Sequence, residues 1–289
     1  MKITDILNNG KISLSFEVFP PKSDASFESV EKATHEVAAL NPSYMSVTYG
    51  AGGSTRKNTV KIASGIQDKY GIMTIAHLTC VGAKKEDIHS ALDEMKAAGI
   101  ENVLALRGDK PKGFEGEPFI DYKYASQLAA EIKAYTPDFC IGGACYPEGH
   151  VDSVNKSTDI DNLKRKIDAG CEFLTTQMFF DNNIFYNFLY KVRDKGITVP
   201  VIPGIMPITR ATQVETARAL SGTNVPERFI NLVDHFKDDP EALTQAGIAY
   251  ATDQIIDLIA NGITHIHVYS MNKANVAGAI QRNLSSIVK

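Results

Sequence analysis

One carboxylate in a strand-like segment is the strongest candidate for acid–base chemistry in this sequence. Apolar and polar residues alternate over residues 12–18, which is the period-two pattern of a β-strand, so Ser13, Ser15 and Glu17 share the polar face. Burial disfavours the charged form of a carboxyl group and raises its pKa. We therefore expect Glu17 to hold a proton near neutral pH and to act as a general acid, with an ion-paired or solvated edge residue as the alternative.

Further polar side chains stand where the predicted strands end. Most strands end in hydrogen-bonding or titratable residues, whereas the strand starts carry mostly Asn, Thr, Pro and Gly. Active sites of parallel barrels are built at the carboxyl ends of the strands, so this asymmetry predicts a catalytic face. Its candidate residues are Glu17, Thr48, Tyr49, His77, Thr79, Arg107, Gly108, Asp109, Tyr146, His150, Gln177 and Tyr269.

Several of these residues also have purely structural explanations. A histidine that only satisfies its own hydrogen bonds in the interior is the common alternative for His77, and Gln177 could be a neutral spacer. Arg107 and Asp109 could pair with each other across the intervening glycine. The basic run 164–166 could lie on a solvated helix face, or it could hold a diphosphate at the mouth of a barrel.

The residue types present favour cofactor chemistry over nucleophilic or metal chemistry. No GxSxG segment occurs and no cluster has metal-ligand spacing, so we predict no metal site. One acid, an Asp near an Arg, amides and aromatic side chains suit a bound planar cofactor. The cysteines lie in or beside apolar runs without a CxxC pair, which indicates reduced core thiols. They are Cys80, Cys140, Cys145 and Cys171.

Composition excludes several classes of function. The chain has 289 residues, of which 44% are hydrophobic and 22% charged, with a net charge of -4 and no basic block, so we expect no nucleic-acid partner. No apolar run reaches the roughly 18 residues of a membrane span. The N-terminal residues lack the apolar core of a signal peptide. We therefore expect a cytoplasmic protein without a membrane partner.

Strand and helix patterns alternate along the chain. The strand candidates are 12–18, 44–48, 73–79, 102–107, 138–144, 172–178, 199–204 and 264–269. Amphipathic stretches separate the strands, and the last gap holds three helical pieces, at 210–221, 226–236 and 240–260. His265 and His267 share the strand face of Tyr269, so we expect them to fill the interior of a barrel.

This alternation predicts the fold. Eight strand–helix units without a linker indicate one α/β domain over residues 1–289, a single (β/α)8 TIM barrel with extra helices between strands 7 and 8. An open doubly wound sheet is the alternative. It is disfavoured because no GxGxxG phosphate loop follows the first strand.

Taken together, the strand-end motifs resemble methylenetetrahydrofolate reductase. The matching segments run in order from the first predicted strand to the last and cover essentially the whole chain. The most specific are FEVFPP at 16–21 and LRGD at 106–109. The others lie at 47–50, 76–80, 146–150, 162–166, 168–170, 176–177 and 202–205. The resemblance is to the short bacterial form, which is the catalytic barrel only, so we expect no additional regulatory domain.

The resemblance implies a barrel that carries FAD and a ping-pong reaction. NADH or NADPH reduces the flavin and leaves; 5,10-methylenetetrahydrofolate then enters the same pocket and is reduced to 5-methyltetrahydrofolate, which feeds methionine synthesis. Glu17 corresponds to the general acid that protonates the bridging amine of the folate, and Asp109 to the acid that binds the pterin close to the flavin. The family also implies a homo-oligomer.

The resemblance also implies the ligand contacts. The flavin would contact Thr48, His77, Arg107, Gly108, Asp109, Tyr124, Ala125, Tyr146, His150, Asp159, Asn162, Arg165 and Lys166. The folate would contact Glu17, Asp109, Gln177, Gln213, Tyr269 and Lys273. Among these residues, the basic cluster would face the diphosphate, Asp159 would lie on the adenosine side, and Gln177 would also contact the nicotinamide.

Three features depart from the family pattern. Ala217 stands where some members place a Phe against the ligand, Lys273 replaces an Arg and loses bidentate reach towards a carboxylate, and the segment 110–123 is longer than in some relatives. The choice between NADH and NADPH, the number of subunits and a separate partner subunit that supplies electrons stay open at this point. A non-catalytic flavin- or folate-binding barrel and a (β/α)8 enzyme of another reaction class are the alternatives to the implied activity.

Overall fold

Parallel strands form the centre of the computed structural model, which describes residues 1–21, 27–49, 56–110 and 116–288. Neighbouring strands pair in the order β7-β6-β5-β4-β3-β2-β1-β9-β8. The strands are β1 Ser13–Val18, β2 Tyr44–Val47, β3 Thr74–Thr79, β4 Asn102–Leu106, β5 Cys140–Cys145, β6 Phe173–Thr176, β7 Val201–Ile202, β8 Gly204–Ile205 and β9 His265–Tyr269. Residues 50–53, and residues 111–115 of the segment 110–123, lie outside the described ranges.

The segments β7 and β8 are two halves of the predicted seventh strand. β7 pairs with β6, and β8 pairs with β9, so together they close the ring of strands. Only Pro203 separates them, and a proline has no N–H to donate to a neighbouring strand. Its carbonyl still accepts from the His267 N–H at 3.0 Å. The α/β barrel predicted from the sequence is therefore confirmed.

Helices surround the strands. They are α1 Ile3–Leu7, α2 Phe27–Ala38, α3 Arg56–Tyr70, α4 Lys85–Ala97, α5 Ala125–Tyr135, α6 Lys156–Asp168, α7 Asn182–Asp194, α8 Thr212–Ser221, α9 Glu227–Phe236, α10 Pro240–Ala260 and α11 Ala274–Asn283. The helices α8, α9 and α10 lie between β8 and β9, which confirms the extra helices before the last strand. Within the described ranges, no helix combines the length and the apolar character needed to cross a membrane.

Two helices depend on features that the sequence patterns did not show. The first helix, α1, was missed because five residues are too few to show a helical period. Helix α6 begins directly after Asn155, which caps it: the side-chain oxygen accepts from the Thr158 N–H at 2.9 Å. This cap fixes the start of the helix next to the predicted site.

The strand β1 separates a polar barrel interior from an apolar outer layer. Leu14, Phe16 and Val18 are buried in the core that the helices cover. On the opposite face, Ser13 Oγ lies 2.9 Å from His265 Nδ1 and Ser15 Oγ lies 2.8 Å from the ring of the next histidine, His267. The parallel register of β1 and β9 produces these pairs, and it confirms that both histidines line the interior.

The amino end of the barrel is closed by α1. Ile3 and Leu7 pack in an apolar cluster with residues from the strand starts, among them Tyr44 and Phe173. The Ile3 N–H donates to the Asn102 side chain at 2.8 Å, which fixes the helix to the start of β4. Within the described residues, α1 therefore covers the starts of the strands. The four cysteines are free and buried, as expected for core thiols.

Candidate active site

A cavity of about 740 Å³ opens at the carboxyl ends of the strands. Its walls come from β1 to β6 and β9 or the residues that directly follow them, from the first turn of α5, and from one side of α6 along its length. Every predicted site residue except two lies on these walls: Glu17, Thr48, His77, Arg107, Gly108, Asp109, Tyr124, Ala125, Tyr146, His150, Asp159, Asn162, Arg165, Lys166, Gln177 and Tyr269. The exceptions are Gln213 and Lys273. The structure therefore brings together side chains that are up to 252 positions apart, as Glu17 and Tyr269 are in sequence.

Glu17 lies deep in this cavity beside two histidines and a serine. Its Oε2 atom is 3.6 Å from His77 Nε2 and 3.8 Å from His267 Nε2. The Ser46 hydroxyl lies 3.5 Å from the same oxygen and 3.3 Å from His267 Nε2. Strands β1, β2, β3 and β9 each supply one member of this group, which we call the Glu17 cluster.

The protonation expected for Glu17 from burial alone is wrong for this structure. Burial is the largest influence and acts to raise the pKa of Glu17, but the His267 and His77 imidazoles and the Ser46 hydroxyl together outweigh it. The pKa of Glu17 is therefore below its usual value. The group is a carboxylate at neutral pH, and a general acid at this position has to receive its proton before it can donate it.

His77 is not a histidine whose hydrogen bonds are satisfied in the interior. Its Nε2 atom is buried without a hydrogen-bond partner in the described part of the chain. Burial lowers the pKa of His77 to about 4, against the opposing influence of the Glu17 carboxylate. The ring is therefore neutral at physiological pH and can form a new hydrogen bond within the cavity.

The loop after β4 presents Arg107 at the cavity wall. Arg107 NH1 bonds Asp152 Oδ2 at 2.5 Å, and its guanidinium lies 4.6 Å from the centre of the Phe119 ring. The hydrogen bond from Arg107 lowers the pKa of Asp152. The possible pairing of Arg107 with Asp109 is thus replaced by a pair that the sequence did not indicate.

Asp109 and Gly108 shape the same loop. Gly108 has φ +79°, and a Cβ there would lie 2.6 Å from Val81 Cγ1, so no other residue fits without displacement. Asp109 lies on the cavity wall but is exposed to solvent. Its charge is therefore screened by water unless a ligand covers it.

Helix α6 supplies the polar wall on the far side. Asp159 is buried, and its two oxygens accept from the His150 N–H at 3.2 Å and the Ser153 hydroxyl at 2.9 Å. Both oxygens thus hold the loop that precedes the helix. Arg165 NH1 bonds Asn162 Oδ1 at 3.1 Å, one turn away, and both line the cavity.

Lys166 is a partly buried cation of this wall. Its Nζ atom donates to the Ala144 carbonyl at 2.7 Å, so within the described residues it bonds a neutral oxygen rather than a carboxylate. Burial lowers the pKa of Lys166. By contrast, Lys164 on the same helix is exposed and pairs with Asp168. In the basic run 164–166, Lys164 therefore faces solvent, whereas Arg165 and Lys166 line the cavity.

Tyr269 crosses the cavity floor from β9 to β6. Its hydroxyl donates to the Thr176 carbonyl at 2.5 Å. It passes over Gly204, where a Cβ would lie 2.5 Å from the hydroxyl oxygen. The absence of a side chain at Gly204 explains why the seventh strand contributes no polar group of its own. Gln177, next to Thr176, lines the wall and accepts from the Met178 N–H at 2.9 Å.

Gln213 and Lys273 lie outside the cavity wall, where both side chains contact Thr209. Gln213 Oε1 accepts from the N–H groups of Thr209 and Arg210 at 2.8 and 2.9 Å, and Lys273 Nζ donates to the Thr209 hydroxyl. Burial and the neighbouring Arg210 lower the pKa of Lys273. Ala217 is buried in the apolar cluster of α8 and α9 rather than at the cavity.

The cavity has the properties of a site for a large ligand with polar edges. Three wall residues carry a buried polar atom without a partner in the described ranges: His77 Nε2, Thr79 Oγ1 and Arg107 Nε. Such atoms destabilise a protein unless a ligand or water bonds them. The cavity volume also falls within the range of about 300–1,000 Å³ typical of cofactor sites. The residues present therefore fit the FAD that the sequence resemblance implies.

Sequence reasoning missed three residues that determine the state of the candidate groups. Ser46 and His267 set the environment of Glu17, and Asp152 holds Arg107. The alternation of His265, His267 and Tyr269 matches that of the polar face of β1, and this could have indicated the strand pairing. No comparable signal marks Asp152, which lies in an irregular loop.

Comparisons with known proteins agree with the site. The family model described as methylenetetrahydrofolate reductase matches residues 2–285. "Methylenetetrahydrofolate reductase (NADH) 1" of Zea mays is 37% identical over an alignment of 298 positions, which covers 99% of this chain and 50% of the relative. "5,10-Methylenetetrahydrofolate reductase" of Escherichia coli (strain K12) is 34% identical over 275 residues, 95% of this chain and 91% of the relative.

The chain thus spans about half the length of the plant relative and most of the bacterial one. A solved structure of a Clostridium thermocellum protein, described as uncharacterized and as binding two copies of 5-methyl-5,6,7,8-tetrahydrofolic acid, has a TM-score of 0.64. It covers 99% of this chain and 100% of its own, at 14% identity. At that identity the likeness shows the fold alone.

Proposed function

This chain belongs to the methylenetetrahydrofolate reductase family, and we propose that it reduces 5,10-methylenetetrahydrofolate to 5-methyltetrahydrofolate with FAD and NADH or NADPH, by a ping-pong mechanism. The observation that carries the proposal is the convergence of the family motifs on one cavity with the Glu17 cluster in its wall. The activity is a proposal because the chain spans only half of the plant relatives. The catalytic unit would be residues 1–289.

The proposed FAD site uses the polar wall of the cavity. Arg107, Arg165 and Lys166 would supply positive charge to the diphosphate, and the unpartnered Thr79 hydroxyl and His77 nitrogen would supply hydrogen bonds. Lys166 suits this role because its ammonium group is buried without a carboxylate partner in the described residues. When bound, FAD supplies hydride transfer between the nicotinamide and the folate.

Glu17 would deliver a proton to the bridging amine of the folate. Its lowered pKa makes it a carboxylate, so it must receive a proton before it can donate one. Its side chain is 19% exposed on the wall of the open cavity, so solvent can supply that proton before the substrate covers the site. Substrate that covers the site excludes water and thereby disfavours the charged carboxylate, so binding itself would promote protonation of Glu17.

Asp109 would act by charge rather than by proton transfer. It lies at the exposed edge of the cavity wall, where a bound pterin would cover it. Removal of water strengthens its interaction with any positive charge that develops on the substrate when the five-membered ring opens. Asp109 would therefore stabilise the cationic iminium of the folate.

The remaining folate contacts would come from two places. Gln177 and Tyr269 line the cavity and would contact the pterin, with Gln177 also meeting the nicotinamide. Gln213 and Lys273 would contact the folate beyond the cavity wall, where both bond Thr209. Lys273 offers a single ammonium group to a carboxylate, which is weaker than the bidentate contact of an arginine.

Spectroscopy of the purified protein tests the proposal. We expect a yellow flavin spectrum that NADH bleaches and 5,10-methylenetetrahydrofolate restores under anaerobic conditions. NADH is the first donor to try because the plant relatives carry it in their names; NADPH is the comparison. A flavin that NADH leaves oxidised would indicate a non-catalytic barrel. Bleaching without recovery on addition of the folate would indicate another reaction.

A further inference from the structure

The segment after β9 holds the backbone of β1 at and beyond Glu17. The last residue pair of the β1–β9 ladder is Glu17 with Tyr269. Beyond that pair, the Ser270 hydroxyl donates to the Glu17 carbonyl at 2.6 Å. The Asn272 side chain then bonds both backbone groups of Phe19: Oδ1 accepts from the N–H and Nδ2 donates to the carbonyl, each at 2.9 Å. We call these three bonds the β1 clamp.

The clamp depends on an unfavourable backbone conformation. Met271 and Asn272 have φ +53° and +55°, in the left-handed region that side chains other than glycine disfavour. Asn tolerates this region better than most residues, whereas Met has no such preference. Strained residues persist where the surrounding bonds determine them, and they concentrate at functional sites. Here the left-handed turn places the Asn272 amide against Phe19.

Phe19 is the last point at which β1 can be held in this way. Pro20 and Pro21 follow it, and neither has an N–H to donate. On the other side of the strand, the Thr48 N–H donates to the Val18 carbonyl at 3.0 Å. The end of β1 is thus held by β2 at Val18 and by the β1 clamp at Glu17 and Phe19.

The Glu17 carboxylate is sensitive to the position of this backbone. Its oxygen lies 3.5 to 3.8 Å from Ser46, His77 and His267, at the outer limit of direct polar contact. A shift of less than about 1 Å in β1 would change which of these groups it contacts, and such a misplacement can slow catalysis by about 100-fold. The clamp holds the backbone from which this side chain projects.

We propose that Asn272 is a positioning residue for Glu17: through Phe19 it sets the placement of the carboxylate in the Glu17 cluster. The inference rests on the proposed role of Glu17 in the folate half of the reaction. It predicts that loss of the Asn272 amide slows that half and leaves the NADH half, which needs no proton from Glu17, nearly unchanged.

Asn272→Gly is the informative variant, because glycine keeps the left-handed conformation and removes only the amide. We expect reoxidation of the flavin by 5,10-methylenetetrahydrofolate to slow by about 10- to 100-fold, and bleaching by NADH to change by less than about twofold. Asn41→Gly is the matched control. Asn41 has φ +55°, lies before β2 at the opposite end of the barrel, and should leave both rates unchanged.

Histidine NMR provides a readout that needs no turnover. The ring signals of His77 and His267 should shift in Asn272→Gly and stay in place in Asn41→Gly. Unchanged signals and unchanged reoxidation, or an equal fall of both half-reactions, would overturn the proposal. If the folate does not reoxidise the flavin of the parent protein, the proposed function fails. The histidine NMR comparison then tests by itself whether Asn272 positions Glu17.

A second variant covers the case in which Asn272→Gly does not fold. Asn272→Asp keeps the acceptor for the Phe19 N–H and the size of the side chain but loses the donor to the Phe19 carbonyl. We expect the same selective loss of the folate half-reaction, because the second carboxylate oxygen would repel the Phe19 carbonyl instead of bonding it. Parent-like reoxidation together with parent-like histidine signals in Asn272→Asp would also contradict the role assigned to the amide.

Discussion

The Glu17 carboxylate lies 3.6 Å from His77 Nε2, and the protein holds the first group charged and the second neutral. Burial lowers the pKa of His77 to about 4, and the neighbours of Glu17 keep the pKa of that carboxyl below its usual value. At neutral pH the carboxylate is therefore unprotonated, and the imidazole carries only the single ring proton of its neutral form. The two residues form a site that can accept a proton and pass it on once a substrate covers it.

Glu17→Gln tests the acid role. Glutamine keeps the shape of the side chain but cannot deliver a proton, so turnover of the folate should fall by about 100- to 10,000-fold. Bleaching by NADH should stay within about twofold, because that half-reaction requires no acid at this position. Stopped-flow absorbance of the flavin measures both rates. Loss of both would show that Glu17 serves cofactor binding instead.

His77 should make the protein sensitive to mild acid. Because its pKa is about 4 when folded and near 6.5 when unfolded, the unfolded chain binds more protons as the pH falls through this range. The contribution of neutral His77 to the free energy of unfolding is therefore fully present above pH 6.5. It is lost as the pH falls towards 4, and the loss amounts to up to about 3 kcal/mol.

Urea unfolding of His77→Gln between pH 7.5 and 4.5 measures this contribution. The variant should lose less stability over that interval than the parent. His235→Gln is the control, because His235 is exposed on α9 and should leave the pH dependence unchanged. The lowered pKa of Glu17 acts in a more acidic range, since its stabilising share is lost only as the pH falls below its usual value of 4.5. The prediction would be contradicted if the free energy of unfolding fell equally with pH in His77→Gln and in the parent.

Gly108→Ala should damage both stability and flavin binding. The left-handed backbone and the contact with Val81 together should destabilise the protein by about 2–4 kcal/mol. Gly71→Ala is matched to it, because Gly71 has φ +65° with open space around it and should cost only about 1–2 kcal/mol. Thermal unfolding and flavin titration of the two variants separate backbone strain from crowding. Equal destabilisation by the two substitutions would show that Val81 moves aside without a loss of stability.

Lys166→Met should weaken flavin binding. Lys166 is a partly buried cation without a carboxylate partner in the described ranges, and a charge-assisted bond to a phosphate is worth about 1.5–3 kcal/mol. The dissociation constant of FAD should therefore rise by about 10- to 100-fold in a fluorescence titration. Lys164→Met, on the exposed face of the same helix, should bind as the parent does. Equal affinities for both variants would place the diphosphate elsewhere.

Local sequence patterns were sufficient for most of the fold and for the membership of the cavity wall. Period-two alternation marked the strands, and glycines with positive φ after the helix ends, such as Gly99 and Gly262, marked the returns to the next strand. The division of the seventh strand at Pro203 was the main feature that the patterns did not predict. Proline lacks the N–H that a strand donates to its neighbour, but this leaves the apolar pattern of the strand unchanged. The short helix α1 was too brief to produce a pattern.

The sequence by itself determined that polar strand ends would converge. Parallel strands in a closed barrel place all their carboxyl ends on one face, whatever the details of packing. Only the tertiary structure decided the charge state of Glu17, the pairing of Arg107 with Asp152, and the position of Lys273 beside Thr209. These properties depend on distances of a few ångströms between segments remote in sequence. A linear pattern shows which residues share a face, but not which atoms on neighbouring faces meet.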